Sequence, residues 1–145
     1  MDYIIRPYKL SDLADLMVTW EQANQLAHPF LDQQYIDQVK QDIPAIYLPN
    51  ADTWVAEVNN TVIGFIALIG AQVGALFVLP EHHGKKVGKA LMDKAQFLHG
   101  DLTVEVFKDN SIGNHFYNRY GFTLSEEQLH NPTGEKVLLL AYSGK

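Results

Sequence analysis

Hydrophobic residues in the chain are concentrated in a few short runs of strand length. The runs YIIRP, TWVAEV, TVIGFIALI and QVGALFVLP are predicted as strands, and Pro7 and Pro80 end the first and the last of them. Asn59 and Asn60 separate the two middle runs, and both tolerate the left-handed conformations of a tight turn. LTVEVF and EKVLLLAY add two strands in the second half of the chain. The pattern therefore predicts several strands, two of them joined as a hairpin.

Apolar residues at helical spacing lie between these runs. One helix is expected to begin after Ser11 as its cap, and a second covers residues 31–41. A helix over residues 111–120 is expected to be capped by Ser111. Another is predicted from an apolar stripe that consists of Val87, Ala90, Leu91, Ala95 and Leu98. Helices that alternate with strands predict an α/β fold, built around a mixed sheet in one domain over residues 1–145.

Composition narrows the classes of protein that remain. The chain has 145 residues, 47% of them hydrophobic, which suffices for one domain with a core. It has no cysteine, so thiolate catalysis, disulfides and cysteine-ligated zinc are excluded, and we expect no metal. No apolar run reaches the length of a membrane span, and the N-terminus lacks the layout of a signal peptide. We therefore expect a cytoplasmic protein that does not enter a membrane.

The negative charge is confined to the first half of the chain. Residues 1–60 hold nine acidic and three basic side chains, whereas residues 61–145 hold eight of each. An acidic protein is a poor match for a phosphate backbone, so we expect no nucleic-acid partner. The excess acid is also consistent with a cationic partner near the first half. Solvated helix faces are an alternative explanation for it.

A basic segment, HHGKKVGKAL, follows the strand that Pro80 ends. The first N–H groups of a helix have no partner within the helix, and together with the helix dipole they favour an anion such as phosphate. Gly84 and Gly88 allow a ligand to approach the backbone, and three lysines add positive charge at Lys85, Lys86 and Lys89. The spacing fits neither a Walker A loop nor a dinucleotide-binding loop. The alternative is a solvated, lysine-rich helix start.

Two segments carry a resemblance to a known family. PEHHGKKVGKALM lies over the acetyl-CoA signature Q/R-x-x-G-x-G/A, although His83 replaces Gln or Arg and Lys86 replaces the middle glycine. LTVEVFKDNSIGNHFYNRYGF matches a later block of the same family, with Glu105, Asn110 and Tyr117 at the familiar spacing. The chain thus resembles the GNAT superfamily of acetyl-CoA-dependent N-acetyltransferases. This implies a mixed, mostly antiparallel sheet flanked by about four helices.

The resemblance implies direct transfer of acetyl from acetyl-CoA, as cosubstrate, to a primary amine. Tyr117 would be the acid that protonates the leaving thiolate, and Glu105 the candidate base. The other residues implied to contact the cofactor are Phe77, Val78, His83, Gly84, Lys85, Lys86, Val87, Gly88, Lys89 and Asn110. Tyr117 could instead be a packed aromatic residue, and Glu105 could be structural or could orient the substrate.

The N-terminal half resembles a bacterial branch that contains protein lysine acetyltransferases. The shared feature is W…HPF, which places His28 and Phe30 as acceptor-binding residues. His28 is also a rival base, or a structural histidine. We expect the acceptor to be a lysine side chain or another cationic amine. A small-molecule acetyltransferase and a non-catalytic acyl-CoA-binding regulator are alternatives, and the sequence does not distinguish a monomer from a homodimer.

Overall fold

The computed structural model describes residues 3–144 of the chain. Seven strands form one sheet: β1 (Ile4–Pro7), β2 (Asp52–Val58), β3 (Thr61–Ile69), β4 (Gln72–Val78), β5 (Leu102–Phe107), β6 (Thr123–His130) and β7 (Glu135–Tyr142). Four helices flank this sheet: α1 (Leu13–Ala27), α2 (Gln33–Asp42), α3 (Val87–His99) and α4 (Ser111–Tyr120). The predicted combination of a mixed sheet with four helices is confirmed.

The sheet opens in its middle. The strand order is β1-β2-β3-β4-β5-β7-β6, and every neighbouring pair is antiparallel except β4 and β5, which are parallel. These two strands pair only through Gln72 with Thr103 and Val73 with Val104. Beyond Val73 they separate, so the facing edges of both strands are left without a strand partner. The second halves of β4 and β5 therefore border an opening that passes through the sheet.

Each face of the sheet has its own apolar core. Buried residues of α3 and α4 pack on one face, where the largest fully buried side chains include Ile63, Ile66, Leu68, Leu91, Met92 and Leu102. The other face carries α1 and α2, and its buried cluster consists of Leu16, Trp20, Ile43, Val55, Val62 and Phe65. The opening between β4 and β5 lies between these two cores.

The predicted hairpin is confirmed, but both predicted helix caps are wrong. Asn59 and Asn60 join β2 to β3 with φ of 51° and 64°. Ser11 lies inside a short helical turn before α1, where the side chain of Asp12 instead accepts the Lys9 N–H at 2.9 Å. α4 is capped by Asn110, which precedes Ser111. The Asn110 side-chain oxygen accepts the Gly113 N–H at 2.8 Å, and asparagine caps helices as well as serine does.

Three further details differ from the pattern-based expectation. Leu98 is 40% exposed, and Met92 takes its place in the buried stripe of α3. The helical path of α2 continues past Pro44 as a wider turn over Ile43–Tyr47, because proline is tolerated in a first turn. β6 was not predicted, since most of its residues are exposed and its apolar residues do not form a buried row.

Arg6 links the first strand to the start of α1 and to β2. Its two terminal nitrogens lie 2.8 Å from the two carboxylate oxygens of Asp12, and its Nε lies 2.6 Å from Glu57. Asp12 is buried, and its hydrogen bonds to Arg6 are the main reason why its pKa is below the usual range. Removal of Arg6 would leave a buried carboxylate without its counter-charge.

We predict that Arg6→Met lowers the free energy of unfolding by about 3 kcal/mol, the lower end of the range measured when one partner of a buried ion pair is removed, because 20% of the Arg6 side chain is exposed. Lys40→Met is the matched control, because the Lys40–Glu21 pair is about half exposed on both sides and should contribute about 1 kcal/mol or less. Urea unfolding of both variants measures the difference. Equal losses would show that the Arg6 cluster adds nothing beyond an exposed pair.

Lys86 adopts a backbone conformation that favours glycine. It is the N-cap of α3 with φ 65° and ψ 17°, in the left-handed region, rather than a residue within the helix. The Tyr3 hydroxyl donates a hydrogen bond to its carbonyl oxygen at 3.2 Å. A left-handed conformation costs a residue with a Cβ about 1–2 kcal/mol. Lys86 stands where the family signature has its middle glycine, and the backbone has kept the glycine-like conformation.

Lys86→Gly should therefore stabilise the protein, by up to about 1 kcal/mol after the entropy that glycine adds to the unfolded chain is subtracted. The neighbouring Lys85 has no positive φ, so Lys85→Gly should destabilise by about 0.5–1 kcal/mol through that same entropy. Both changes remove one lysine, which makes them a matched pair. Thermal unfolding that moves in the same direction for both variants would contradict the strain at Lys86.

Candidate active site

One large cavity lies in the opening between β4 and β5. Its volume is about 1130 Å³. Its lining includes Lys86 and Gly88 from the start of α3, and Tyr35 and His130 from the opposite face of the sheet. The cavity therefore connects the two faces, and most of the residues predicted for the site border it.

The edge of β4 presents alternate residues to the cavity. The Leu79 N–H donates to the Ile63 carbonyl at 2.8 Å. Along the same ladder, Val78 of β4 lies opposite Gly64 of β3, and Phe77 lies opposite Phe65. In an antiparallel ladder, this parity turns the backbone groups of Phe77 toward β3 and those of Val78 toward the other edge. Of the two predicted backbone contacts, only that of Val78 faces the opening.

Leu76 joins Val78 at this edge. Residues two apart in a strand direct their backbone groups to the same side, so the Leu76 N–H and carbonyl also face the opening. Leu76 lines the cavity but was absent from the predicted site. The sequence places Leu76, Phe77 and Val78 on one strand, but it does not show which edge of the strand is free. Once the register of β4 with β3 is known, the two-residue periodicity of a strand identifies Leu76 as the second residue whose backbone faces the opening.

His83 forms a hydrogen bond with one of these backbone groups. Its Nε2 lies 2.8 Å from the Val78 carbonyl oxygen and, as an N–H, donates a hydrogen bond to it. The Val78 N–H stays directed at the cavity. His83 therefore supports the end of β4 from the loop that leads to α3. Gly84 follows it with φ 80°, a conformation that permits the loop to turn back toward the helix.

The basic start of α3 has two distinct parts. Lys86 and Lys89 line the cavity, whereas Lys85 is exposed and lies outside the lining. The Lys89 ammonium lies 2.9 Å from Asp93, which offsets its charge. A Cβ on Gly88 would come within 3.2 Å of the Phe116 ring, so any larger residue here would have to displace that ring by a few tenths of an ångström. Val87 is buried in the core and can offer only its backbone.

Tyr117 lies in the apolar core beside the cavity. It is 7% exposed, and its ring packs against Phe116 and Phe122 with centroids 5.5 and 5.4 Å away. Burial raises the pKa of its hydroxyl above the ordinary value, so the phenol is protonated at neutral pH. Within residues 3–144 the hydroxyl has no hydrogen-bond partner. The side chain is thus packed as an aromatic residue and still keeps a proton available.

Glu105 lies on the face of the sheet that carries α1 and α2. It precedes Phe107 by two residues in β5, so both side chains are on the same side of the strand. Glu105 is exposed and lines the cavity. Burial is the main reason why the pKa of Tyr35 is raised, and the charges of Tyr47, Glu105 and Asp42 add to the shift. Glu105 and Tyr35 therefore occupy the same part of the cavity.

His28 is held on both ring nitrogens. Its Nδ1 lies 2.7 Å from the Asn24 side-chain oxygen, and its Nε2 lies 3.2 Å from the Asn110 side-chain nitrogen. The residue is 9% exposed, and burial lowers its pKa to about 4. A histidine without a free lone pair is a poor proton acceptor for a substrate. Of these two candidate bases, only the exposed Glu105 therefore has lone pairs that are open to the cavity.

Aromatic rings form a wall on the side of the cavity that faces α1 and α2. The ring of His28 lies 5.8 Å from that of Phe30, 5.2 Å from that of Phe107 and 6.3 Å from that of Phe77. His130 extends the wall, with its ring 5.1 Å from Phe107 and 5.7 Å from Tyr35. The predicted pair His28 and Phe30 is brought together here, but only His28 lines the cavity, and Phe30 packs behind it. Phe107, His130 and Tyr35 were not predicted, because no local motif connects positions so distant in sequence.

Two further properties of the described residues bear on the site. Within residues 3–144, no group of three or more His, Asp or Glu side chains has a geometry that could hold a metal ion. None of the helices in this part of the chain is both long enough and apolar enough to cross a membrane.

Comparison with curated proteins identifies relatives over most of the chain. The chain is 32% identical to the peptidyl-lysine N-acetyltransferase YiaC of Escherichia coli strain K12 over 120 residues, which are 82% of each protein. It is 29% identical to the peptidyl-lysine N-acetyltransferase YjaB of the same strain over 143 residues, which are 97% of each protein.

Solved structures share the fold. The solution structure of the apo form of YjaB from Escherichia coli matches with a TM-score of 0.89 at 28% identity and covers 100% of both chains. The crystal structure of the PaiA N-acetyltransferase from Thermoplasma acidophilum, in complex with coenzyme A, matches with a TM-score of 0.82 at 20% identity over 99% of both chains. A family profile described as an acetyltransferase (GNAT) domain matches residues 49–124. The chain therefore belongs to the GNAT family of acetyltransferases.

Proposed function

We propose that this protein transfers the acetyl group of acetyl-CoA to the side-chain amine of lysine in a protein or peptide. The observation that carries the proposal is the cavity that passes through the sheet. It joins a basic helix start and a free strand edge on one side to a carboxylate and an aromatic wall on the other. A thioester and an amine that enter from opposite faces would meet between β4 and β5.

The cofactor side offers the groups that acetyl-CoA requires. The backbone of Leu76 and Val78 presents a free strand edge, which can pair with the amide groups of an extended ligand. The start of α3, with Lys86 and Lys89, offers N–H groups and positive charge for phosphate oxygens. Lys85 is exposed beside them, and its solvated ammonium can add to the positive charge. The coenzyme A found in the similarly folded PaiA protein is compatible with this assignment.

The acceptor amine must lose a proton before it attacks. A lysine ammonium has an ordinary pKa of about 10.4, so it arrives charged. Glu105 is exposed to the cavity and is the carboxylate on the acceptor side that can attract the ammonium and take its proton, directly or through water. The amine nitrogen then forms a bond to the thioester carbonyl carbon, and the bond from that carbon to sulfur breaks.

Two groups stabilise the charges that develop in this step. The Val78 N–H faces the opening and can donate to the carbonyl oxygen as it becomes negative. Tyr117, which burial keeps protonated, can give its proton to the departing thiolate. The attacking nitrogen, which is positively charged once its bond to carbon has formed, loses its second proton, and this proton restores the phenol directly or through water. The proton that Glu105 took from the ammonium is released to solvent. The protein forms no covalent bond to the acetyl group.

Charge on the acceptor side favours a cationic acceptor. Within the described residues, Arg6 and Lys40 pair with three of the first-half acids: Asp12, Glu57 and Glu21. Among the acids that remain, α2 carries Asp37 and Asp42. Asp42 is close enough to Tyr35, which lines the cavity, to add to the rise in its pKa, whereas Asp37 accepts a hydrogen bond from Gln33 at an exposed position. Neither Asp37 nor Asp42 makes an ion pair with another residue that the structure describes. Together with Glu105 they give the acceptor mouth a negative field.

We predict that the protein acetylates a lysine-containing peptide at the Nε atom and that kcat/KM is higher for peptides with basic than with acidic flanking residues. The preference should narrow at high salt, because charges beyond about 8 Å are screened at physiological ionic strength. Mass spectrometry of the product locates the acetyl group.

Glu105→Gln should lower kcat/KM about 10²-fold or more, since it removes the base and the nearest charge.

Asp52→Asn is the control for that substitution, because it removes an exposed carboxylate of β2 that does not line the cavity. It should leave kcat/KM for the peptides unchanged. Transfer only to free small amines would favour a small-molecule acetyltransferase. Binding of acetyl-CoA without transfer to any amine would favour a regulator and would contradict the proposed reaction.

Tyr117→Phe should reduce kcat about 10²-fold and leave the Kd of acetyl-CoA nearly unchanged, because only the proton donor is removed. The adjacent Phe116→Tyr is the reciprocal control, since it adds a hydroxyl on a different face of the same helix. Calorimetry gives the affinity and steady-state assays give kcat. Full turnover by Tyr117→Phe would exclude this residue as the acid and support its role as a packed aromatic.

A further inference from the structure

We propose that His28, as a neutral ring with its proton on Nδ1, is a positioning residue that holds the first turn of α4, and through it Tyr117, in place across the opening of the sheet. This inference rests on the proposed acetyl transfer for its effect on rate. The hydrogen-bond geometry on which it depends does not.

Three hydrogen bonds run in series from Gly113 through Asn110 and His28 to Asn24. The donor at the Gly113 end fixes the direction of each of them. The Gly113 N–H is a donor, so the atom of Asn110 at 2.8 Å from it must be the side-chain oxygen. The other arm of Asn110 is then its NH₂ group, which donates to His28 Nε2 at 3.2 Å. His28 must therefore carry its proton on Nδ1, from which it donates to the Asn24 oxygen at 2.7 Å.

The other protonation states conflict with the helix cap. A proton on Nε2, in either the other tautomer or the imidazolium, would face the NH₂ group of Asn110. Rotation of the Asn110 amide by 180° would relieve this contact, but it would place the NH₂ group against the Gly113 N–H and lose the cap of α4. The state of His28 and the cap of α4 are therefore linked.

The surroundings of His28 contain no ionised group in contact. It follows the end of α1 and meets Asn24 from α1, Phe30 from the following loop, Phe77 from β4, Phe107 from β5 and Asn110 before α4. Two titratable groups lie beside these contacts: Glu105, two residues before Phe107 in β5, and His130 of β6, whose ring packs on Phe107. Neither is hydrogen-bonded to His28.

The position of the ring explains why it affects the site. Its edge and face contact Phe77 and Phe107, which belong to the two strands that separate. The bond to Asn110 crosses from the core of α1 to the helix that carries Tyr117. His28 therefore sets both the spacing of the opening and the register of α4, without contact with the reacting atoms.

Two substitutions separate this role from packing alone. His28→Gln keeps an acceptor oxygen for Asn110, so kcat should stay within about threefold of the unaltered protein. His28→Leu fills the space with an apolar side chain that cannot accept the hydrogen bond from Asn110. For this variant kcat should fall at least tenfold, while KM for acetyl-CoA changes less. Equal kcat in the two variants, when both are folded by thermal unfolding, would contradict the proposal.

NMR of ¹⁵N-labelled protein tests the geometry independently of turnover, and it decides the matter if His28→Leu fails to fold. We expect the Nδ1–H tautomer and a His28 pKa well below its ordinary value of about 6.5. Asn110→Asp keeps the cap oxygen but replaces the donor with an acceptor, so the His28 pKa should rise above that of the unaltered protein. An Nε2–H tautomer, or no rise in Asn110→Asp, would overturn the inference. Absence of acetyl transfer by the unaltered protein would instead contradict the proposed function.

Discussion

The separation of β4 and β5 is the constraint on which the site depends. Backbone N–H and carbonyl groups inside a protein need partners, and a strand edge that is left unpaired in the interior costs free energy unless something occupies it. Here the Val78 carbonyl is occupied by His83, while the Val78 N–H and the backbone of Leu76 stay directed into the cavity. The fold thus keeps open a place for a ligand that can supply amide groups of its own. The parallel pairing ends after two positions so that this edge is available.

An opening through a sheet also separates the two layers that pack on it, and polar contacts across the opening compensate for this. The bond from Asn110 to His28 joins the layer of α4 to the layer of α1, and the rings of Phe77 and Phe107 pack on either side of it. These groups are uncharged, which avoids the cost of a buried ion. The charged residues remain at the ends of the cavity, with Lys86 at one and Glu105 at the other. The arrangement keeps the reacting centre free of fixed charge and gives each end a different ligand preference.

Much of this architecture could be predicted from local pattern, and the remainder depends on contacts between distant residues. The hairpin at Asn59 and the strands β5 and β7 follow from periodicity and turn residues, and the family resemblance placed Tyr117 and Glu105 beside the cavity. The free edge of β4 could not be predicted, because which residues face the opening depends on the register with β3. The aromatic wall could not be predicted either, since it gathers rings from the loop after α1 and from α2, β4, β5 and β6. The cap at Asn110 was missed because an equally good capping residue follows it.

The comparison of Glu105 with His28 shows how burial divides the roles of two groups that look interchangeable in sequence. A base must present a lone pair to the substrate and must be able to hold the proton that it takes. His28 has both nitrogens engaged, and burial lowers its pKa to about 4, so it resists a proton at any pH where lysine reacts. Glu105 is exposed to the cavity on the same face, and an ammonium that approaches it supplies the counter-charge to its carboxylate. Burial therefore makes the histidine a fixed part of the scaffold, and exposure leaves the carboxylate able to exchange protons with water and, in the proposed reaction, with the acceptor.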